Sequence, residues 1–440
     1  MVQRRKERNP YVEPRALQVD FSEAFRTWLK IGCLGFGGPA GQIAMMHRIL
    51  VDEKRWIDEP RYLHALNFCM LLPGPEAQKL ATYLGWLLHG VRGGLTAGIL
   101  FVLPGAVVML AVSLLYVLGQ GIPAVEGALF GVKAAVLVIV VEALIRIGRR
   151  GLKTRALMAI AAAAFVGIHF FDLPFPFIVV AAGVAGFFIT RAPLVAGTEP
   201  APGRWRQAAR YAVVGTALWL APIVLVLIAF GSDHVLFDIA LFFSKLAVVS
   251  FGGAYALLAY MAQQAVENYG WMSAPEMVDG LGLAETLPGP LIKVTQFVGF
   301  LGAWRDPAPF SPLAAGVLGA ALTTWVTFAL PMMLIFTGAP FIEQLRSNQR
   351  LSGALAAITA AVVGVILNLT LWFALHVLFA RVDEVRAGPV RWYAFDPATL
   401  DWQAGVLAVI AGVLMLRLHR GLVETVAVMA ALGIAVRLLL

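Results

Sequence analysis

The chain has 440 residues, of which 60% are hydrophobic and 14% charged, with a formal net charge of +8. A soluble domain carries about a quarter charged residues, so a water-soluble fold of this composition would expose apolar surface that it cannot cover. That excludes an ordinary cytosolic enzyme and a disordered chain, and places the chain in a bilayer.

Residues 1–20 form a basic N-terminus with Arg4, Arg5, Lys6, Arg8 and Arg15. They lack a short apolar run with a small-residue cleavage site, so they read as a cytoplasmic anchor. Apolar segments follow at 21–45, 61–90, 93–119, 122–145, 156–171, 173–190, 211–232, 235–262, 277–303, 307–342, 351–380, 402–416 and 421–436. A membrane helix needs about 20 largely apolar residues, and continuous rather than alternating runs exclude a β-barrel. The reading is an all-α polytopic membrane protein with about thirteen transmembrane helices. The number falls to eleven if the glycine-broken segments 21–45 and 235–262 re-enter the face they came from. The densest basic clusters are Arg146, Arg149, Arg150, Lys153 and Arg155, then Arg191, Arg204, Arg206 and Arg210. Both belong on the cytoplasmic side, which the positive charge marks as a topology signal rather than a nucleic-acid footprint. The loop 46–60 then faces the other side.

The sequence repeats itself at a constant spacing of 215 residues. Lys30 matches Lys245, Phe36-Gly37-Gly38 matches Phe251-Gly252-Gly253, Trp56 matches Trp271, Pro60 matches Pro275, and Pro73-Gly74-Pro75 matches Pro288-Gly289-Pro290. The chain therefore divides into a repeat at 21–190, a proline-bearing cytoplasmic linker at 191–210 and a second repeat at 211–440. The additional crossing at 211–232 inverts the second copy. Inverted repeats with interrupted helices are the architecture of secondary transporters, with the substrate between the halves.

Both motifs break helices inside apolar segments. Glycine and proline free backbone amides that hydrocarbon cannot satisfy, so a half-helix with N–H groups facing an anion is expected at each. The substrate-binding candidates are Gly37, Gly38 and Gln42 at the first glycine break, and Gly252 and Gly253 at the second. Pro73, Gly74 and Pro75, with Gln78, Lys79 and Thr82, form the first proline turn and its half-helix. Pro288, Gly289 and Pro290, with Lys293, Thr295 and Gln296, form the second. A lysine beside free N–H groups suits an oxyanion. Ionisable residues within membrane segments default to function, so Lys30, Lys245, Glu76 and Glu285 are candidates for charge or coupling.

The seven histidines show no metal-ligand spacing, and no phosphate-binding loop or GxSxG motif occurs, so no metal, cofactor or enzymatic activity is expected. Cys33 and Cys69 lie in apolar runs and read as small buried hydrophobes without a disulfide.

Gly35-Phe36-Gly37-Gly38-Pro39, Asp52-Glu53-Lys54-Arg55-Trp56, Leu71-Leu72-Pro73-Gly74-Pro75-Glu76-Ala77 with Gln78, and Phe101-Val102-Leu103-Pro104-Gly105 resemble the chromate ion transporter family in its long two-domain form. Ser250-Phe251-Gly252-Gly253, Gly270-Trp271 and Glu285-Thr286-Leu287-Pro288-Gly289-Pro290 carry the resemblance into the second half. The resemblance implies chromate efflux at a bacterial inner membrane, conferring chromate resistance, with sulfate as natural competitor, and it implies that both motifs serve transport. Ala254 stands where the first copy has Pro39, and Leu291 where it has Glu76, so unequal halves are expected. Moving one charge through 100 mV is worth about 2.3 kcal/mol, so potential alone can drive a dianion outward. A sulfate or other oxyanion carrier on the same fold is the nearest alternative. A lipid- or quinone-directed enzyme and a channel are more distant ones. Expected partners are the oxyanion and lipid, with no nucleic acid; a homodimer is compatible with this reading.

Overall fold

The computed structural model describes residues 19–190, 204–251, 254–339 and 349–439. The basic N-terminal residues, Gly252, Gly253 and positions 191–203 of the linker lie outside the described residues. The chain opens with α1 (Phe21–Leu34), α2 (Gly38–His47) and α3 (Glu59–Leu71). Asp20 caps α1 by accepting from the Ser22 and Glu23 amides, and Asp58 caps α3 by accepting from Arg61 N–H, with Pro60 in the first turn. The long α4 (Glu76–Leu118) and α5 (Pro123–Gly151) follow, then the shorter α6 (Arg155–Phe171) and α7 (Phe175–Ile189).

Helix α8 (Arg204–Phe230) begins inside the stretch expected to be linker, so 204–210 is helical. The order then recurs. Helices α9 (Val235–Val248), α10 (Ala254–Gln263) and α11 (Ala274–Thr286) lead to α12 (Val294–Arg305), α13 (Pro312–Gly338) and α14 (Gln349–Leu378). Ser273 and Glu276 form a capping box at α11, with Pro275 in the first turn, where Asp58 and Pro60 open α3. Both halves also pass through a π-helical turn, Arg48–Glu53 and Gln264–Asn268.

Four of the thirteen expected crossings are instead hairpins. At 1.5 Å per residue the 14 residues of α1 span about 21 Å and the 10 of α2 about 15 Å, short of a ~30 Å hydrocarbon core. The chain reverses between them, because Lys54, beyond α2, pairs with Glu23 at the start of α1. The loop 46–60 therefore lies at the end of the bundle where α1 begins, not at the opposite end. Segment 61–90 also turns back: His89 donates through Nε2 to the Val19 carbonyl at 2.7 Å. In segment 235–262, Phe242 of α9 meets Tyr260 of α10 at 5.7 Å between ring centroids. In 277–303 the two ends are joined by Arg305 Nη2 and Glu276 Oε1 at 2.6 Å. Hydropathy records apolar length but carries no direction, so a hairpin of two half-helices reads like one span.

Helix α4 folds back once more. His89 and Gly90 leave helical geometry, Gly90 at φ +58, and the arms 76–88 and 91–118 run antiparallel. Their approach requires bare backbone: a Cβ on Gly85 would lie 2.4 Å from the Gly93 carbonyl oxygen. Among the described residues six helices are long and apolar enough to cross a membrane, within α4, α5, α8, α13, α14 and Leu422–Leu439. Three shorter apolar helices, α6, α7 and Trp402–Arg417, accompany them.

After α14 the chain departs from the all-α expectation. Strands β1 (Val382–Ala387) and β2 (Val390–Phe395) form an antiparallel hairpin turning at Gly388, φ +60. Arg391 carries it: almost fully buried, it reaches Asp172 at 2.9 Å and Glu267 at 3.5 Å, tying the hairpin to the turn after α6 and to the turn after α10. Helices α15 (Trp402–Gly412) and α16 (Leu422–Leu439) close the fold. The terminal helix pairs are exchanged between halves: α6 and α7 pack on α14, whereas α15 and α16 pack on α5. A Cβ on Gly131 of α5 would lie 1.8 Å from the Met429 carbonyl oxygen. Cys33 is exposed and only Cys69 fits the buried reading; both are free thiols.

Candidate functional site

The two proline turns stand where α3 meets α4 and where α11 meets α12, and each docks on the opposite half of the chain. Gly74 N–H donates to the Ser250 carbonyl at 2.8 Å, and Gly289 N–H donates to the Gly35 carbonyl at 2.9 Å. Gly74 and Gly289 are 215 residues apart, and so are Gly35 and Ser250, so the two bonds are counterparts. Both turn glycines have left-handed backbones, φ +108 and +97. Their surroundings leave no room for side chains. A Cβ on Gly74 would lie 2.4 Å from the Pro331 ring on α13, and one on Gly105 of α4 would lie 2.4 Å from the Pro288 carbonyl oxygen.

Within the turns, the Gly74 and Gly289 amides are thus taken up by the opposing glycine break. The first break keeps open backbone. Gly37 (φ +84) and Gly38 (φ +68) separate α1 from α2, and a Cβ on Gly38 would meet nothing within 4 Å.

Lys79 and Lys293 are both buried at the turns. Lys79 Nζ donates to the Leu72 carbonyl; Lys293 Nζ donates to Leu287 at 2.8 Å and Gly289 at 3.4 Å. Leu72 and Leu287 are themselves 215 apart, although the lysines are not. The tighter 3₁₀ turn Leu291–Lys293 opening the second half-helix delivers the ammonium one residue earlier. Each lysine thus covers carbonyls at the C-terminal end of the preceding helix, where a cation complements the helix dipole. An ammonium has three N–H groups, so each retains donor capacity beyond these contacts.

The amide and hydroxyl groups expected to bind substrate also make bonds within the protein. Gln78 Nε2 donates to Phe328 O on α13 at 3.1 Å, and Gln296 Nε2 to Ala106 O on α4 at 2.8 Å, so each half-helix is fastened to the opposite half. Gln42 Nε2 bridges Gly35 O at 2.9 Å and Gly289 O at 2.7 Å. Thr82 and Thr295 donate to Gln78 O and Ile292 O within their own helices. Lys30 and Lys245 are exposed on α1 and α9 and are not turned into the buried turns. Glu76 is half-buried beside Lys79. Glu285 is buried and accepts from Tyr255 O–H at 2.7 Å. Tyr255 and the buried Asp279 escaped the sequence reading, although a carboxylate inside the apolar run 277–303 was signal enough for the latter.

The profile of the chromate transporter family matches residues 22–187 and 237–436, so it spans both turns. A chromate transport protein of Pseudomonas aeruginosa is 34% identical over 84% of this chain and 85% of its own length. One from Cupriavidus metallidurans is 28% identical over 77% of this chain and 79% of its own. An uncharacterized transporter of Methanocaldococcus jannaschii is 26% identical over 83% and 86%. No solved structure matches.

Proposed function

This chain belongs to the chromate transporter family, and on that premise we propose that it exports chromate across a bacterial inner membrane by alternating access between two inverted repeats. The observation that carries the reading is the reciprocal docking of the turns, Gly74 on Ser250 and Gly289 on Gly35. Each turn is a joint between the halves, so rocking one half on the other exchanges partners at both joints together.

In this reading nine helices cross, the four half-helix hairpins enter and return, and the end bearing Glu23, Lys54 and the Arg146–Arg155 cluster is cytoplasmic. The dianion passes at the seam, where Lys79 and Lys293 supply charge, the first-turn amides of the half-helices add donors, and open backbone at Gly37 and Gly38 permits close approach. Gln42, Gln78, Thr82, Thr295 and Gln296 position the turns. Two charges moved outward through 100 mV gain about 4.6 kcal/mol, more than a thousandfold gradient opposes at roughly 1.4 kcal/mol per tenfold.

Chromate uptake into inverted membrane vesicles with an imposed potential tests this, with sulfate as competitor. Saturable, potential-driven uptake that sulfate only partly blocks is the expected result. Sulfate flux without chromate movement would leave the fold reading and overturn the substrate.

A further inference from the structure

At the end of the bundle opposite Glu23 and Lys54, a cavity of about 400 Å³ opens between the C-terminal end of α4, the start of α5, the start of α11 and the exchanged pair α15–α16. Asp279 of α11 lines it and is almost fully buried. Its Oδ2 accepts from Tyr116 O–H of α4 at 2.9 Å and lies 3.3 Å from Lys133 Nζ of α5. Its Oδ1 has no protein partner. The other acids facing the cavity are already committed. Glu276 of α11 is paired with Arg305 of α12 at 2.6 Å. Glu126 of α5 lies 3.9 Å from Arg437 of α16. Asp401 caps α15 by accepting from Ala404 N–H at 2.9 Å. Asp279 thus lines a space that water can fill, keeps one buried oxygen without a protein partner, and is paired with a single partly exposed cation. A buried ion pair of that kind is poised between charged and neutral states, because desolvation and pairing oppose each other.

We propose that Asp279 is the proton-binding site that couples the pH gradient to anion movement, with Lys133 as its displaceable partner. The inference rests on the transport reading above. A proton arriving through the cavity adds to the Asp279 carboxylate and gives the neutral acid. Lys133 keeps its own proton, and the ion pair between α11 and α5 is lost. The two helices are otherwise in tight contact: a Cβ on Gly282 of α11 would lie 2.3 Å from Val132 of α5. Helix α11 ends at Thr286, one residue short of Pro288-Gly289-Pro290, so releasing α11 from α5 acts on the second joint. Glu285 is less suited to this work, since it does not line the cavity.

Two readouts on the full chain test the assignment. Infrared titration of the purified protein in lipid discs follows the carbonyl stretch of protonated carboxyl groups. A band that titrates in the wild type and is lost in Asp279→Asn is expected; an unchanged band overturns the proposal. In proteoliposomes, a pH gradient at zero potential is expected to drive chromate, with Asp279→Asn losing that flux ~10-fold or more while chromate–chromate exchange persists. Full pH-driven flux in Asp279→Asn, or wild-type net flux indifferent to the gradient, overturns the coupling and leaves the transport reading standing. Loss of the band with no chromate movement in any protein does the reverse. Should Asp279→Asn not fold, Lys133→Gln decides: losing the cation raises the proton affinity of Asp279 ~10-fold or more and moves the infrared midpoint to higher pH, and an unmoved midpoint sinks the assignment.

Discussion

Lys79 and Lys293 occupy matching turns, yet their acidic neighbours come from opposite flanks. Glu76 follows the first turn on α4, and Glu285 precedes the second on α11. Beyond the first turn Glu76 remains half-buried; beyond the second, Pro290, Leu291 and Ile292 are all buried and Glu285 is locked by Tyr255. Two joints made from one motif therefore differ in access. The first leaves its carboxylate part-exposed, whereas the second buries its own. Gln42 adds to the asymmetry, since the residue 215 further on is Leu257, which cannot bridge two carbonyls.

The hardest way to break both joints is to fill them. Gly105→Leu is expected to cost at least ~3 kcal/mol, because its Cβ would strike backbone at Pro288, and Gly74→Ala adds left-handed strain to a clash with Pro331. Both should lose folded yield and transport. Gly412→Ala, with nothing within 4 Å, should not, as thermal unfolding in detergent will show. Next come the lysines. Lys293→Met uncovers the Leu287 and Gly289 carbonyls and should destabilise by about 2–4 kcal/mol, whereas Lys79→Met uncovers the Leu72 carbonyl alone and should cost about 1–3 kcal/mol. Equal losses would mean the two joints are electrostatically alike. Gln42→Leu imitates the second half and leaves two carbonyls without their bridge, an expected loss of about 1–3 kcal/mol by the same assay.

The smallest effect concerns a charge pair found in one half only. His47 is raised above its ordinary value, first by its hydrogen bond to Glu59 and then by the charges of Glu59 and Asp52, while its counterpart position holds Ala262. A raised folded-state value means that the added stability is complete below the ordinary histidine range and fades as pH rises through the raised one. The unfolding temperature of the wild type, less that of His47→Gln, should fall over that interval and stay flat above it.

The sequence showed where the helices break but not where the chain goes afterwards. Phe36-Gly37-Gly38 and Pro73-Gly74-Pro75 stand out because glycine and proline act locally, and their spacing from their second copies is plain. Reversal at those breaks depends on distant partners such as Glu23 with Lys54 and His89 with Val19. Gln42, Gln78 and Gln296 sit at the right turns, but an amide looks the same in sequence whether it serves a ligand or a carbonyl on the opposite half. The hairpin 382–395 was hidden among apolar spans, and only folding brings its Arg391 to Asp172 and Glu267. Asp279 gains its meaning from Lys133 and Tyr116, both far away in the chain.

The exchange of terminal helix pairs has a consequence for biogenesis. Synthesis delivers α5 long before α15 and α16, so the glycine face at Gly127 and Gly131 must wait in the membrane for Met429 and Gly433 to arrive. The N-terminal half cannot reach its final packing during its own translation. A ribosome stalled before α15 would leave an inserted but unfinished protein with that face bare to lipid or to quality-control proteases.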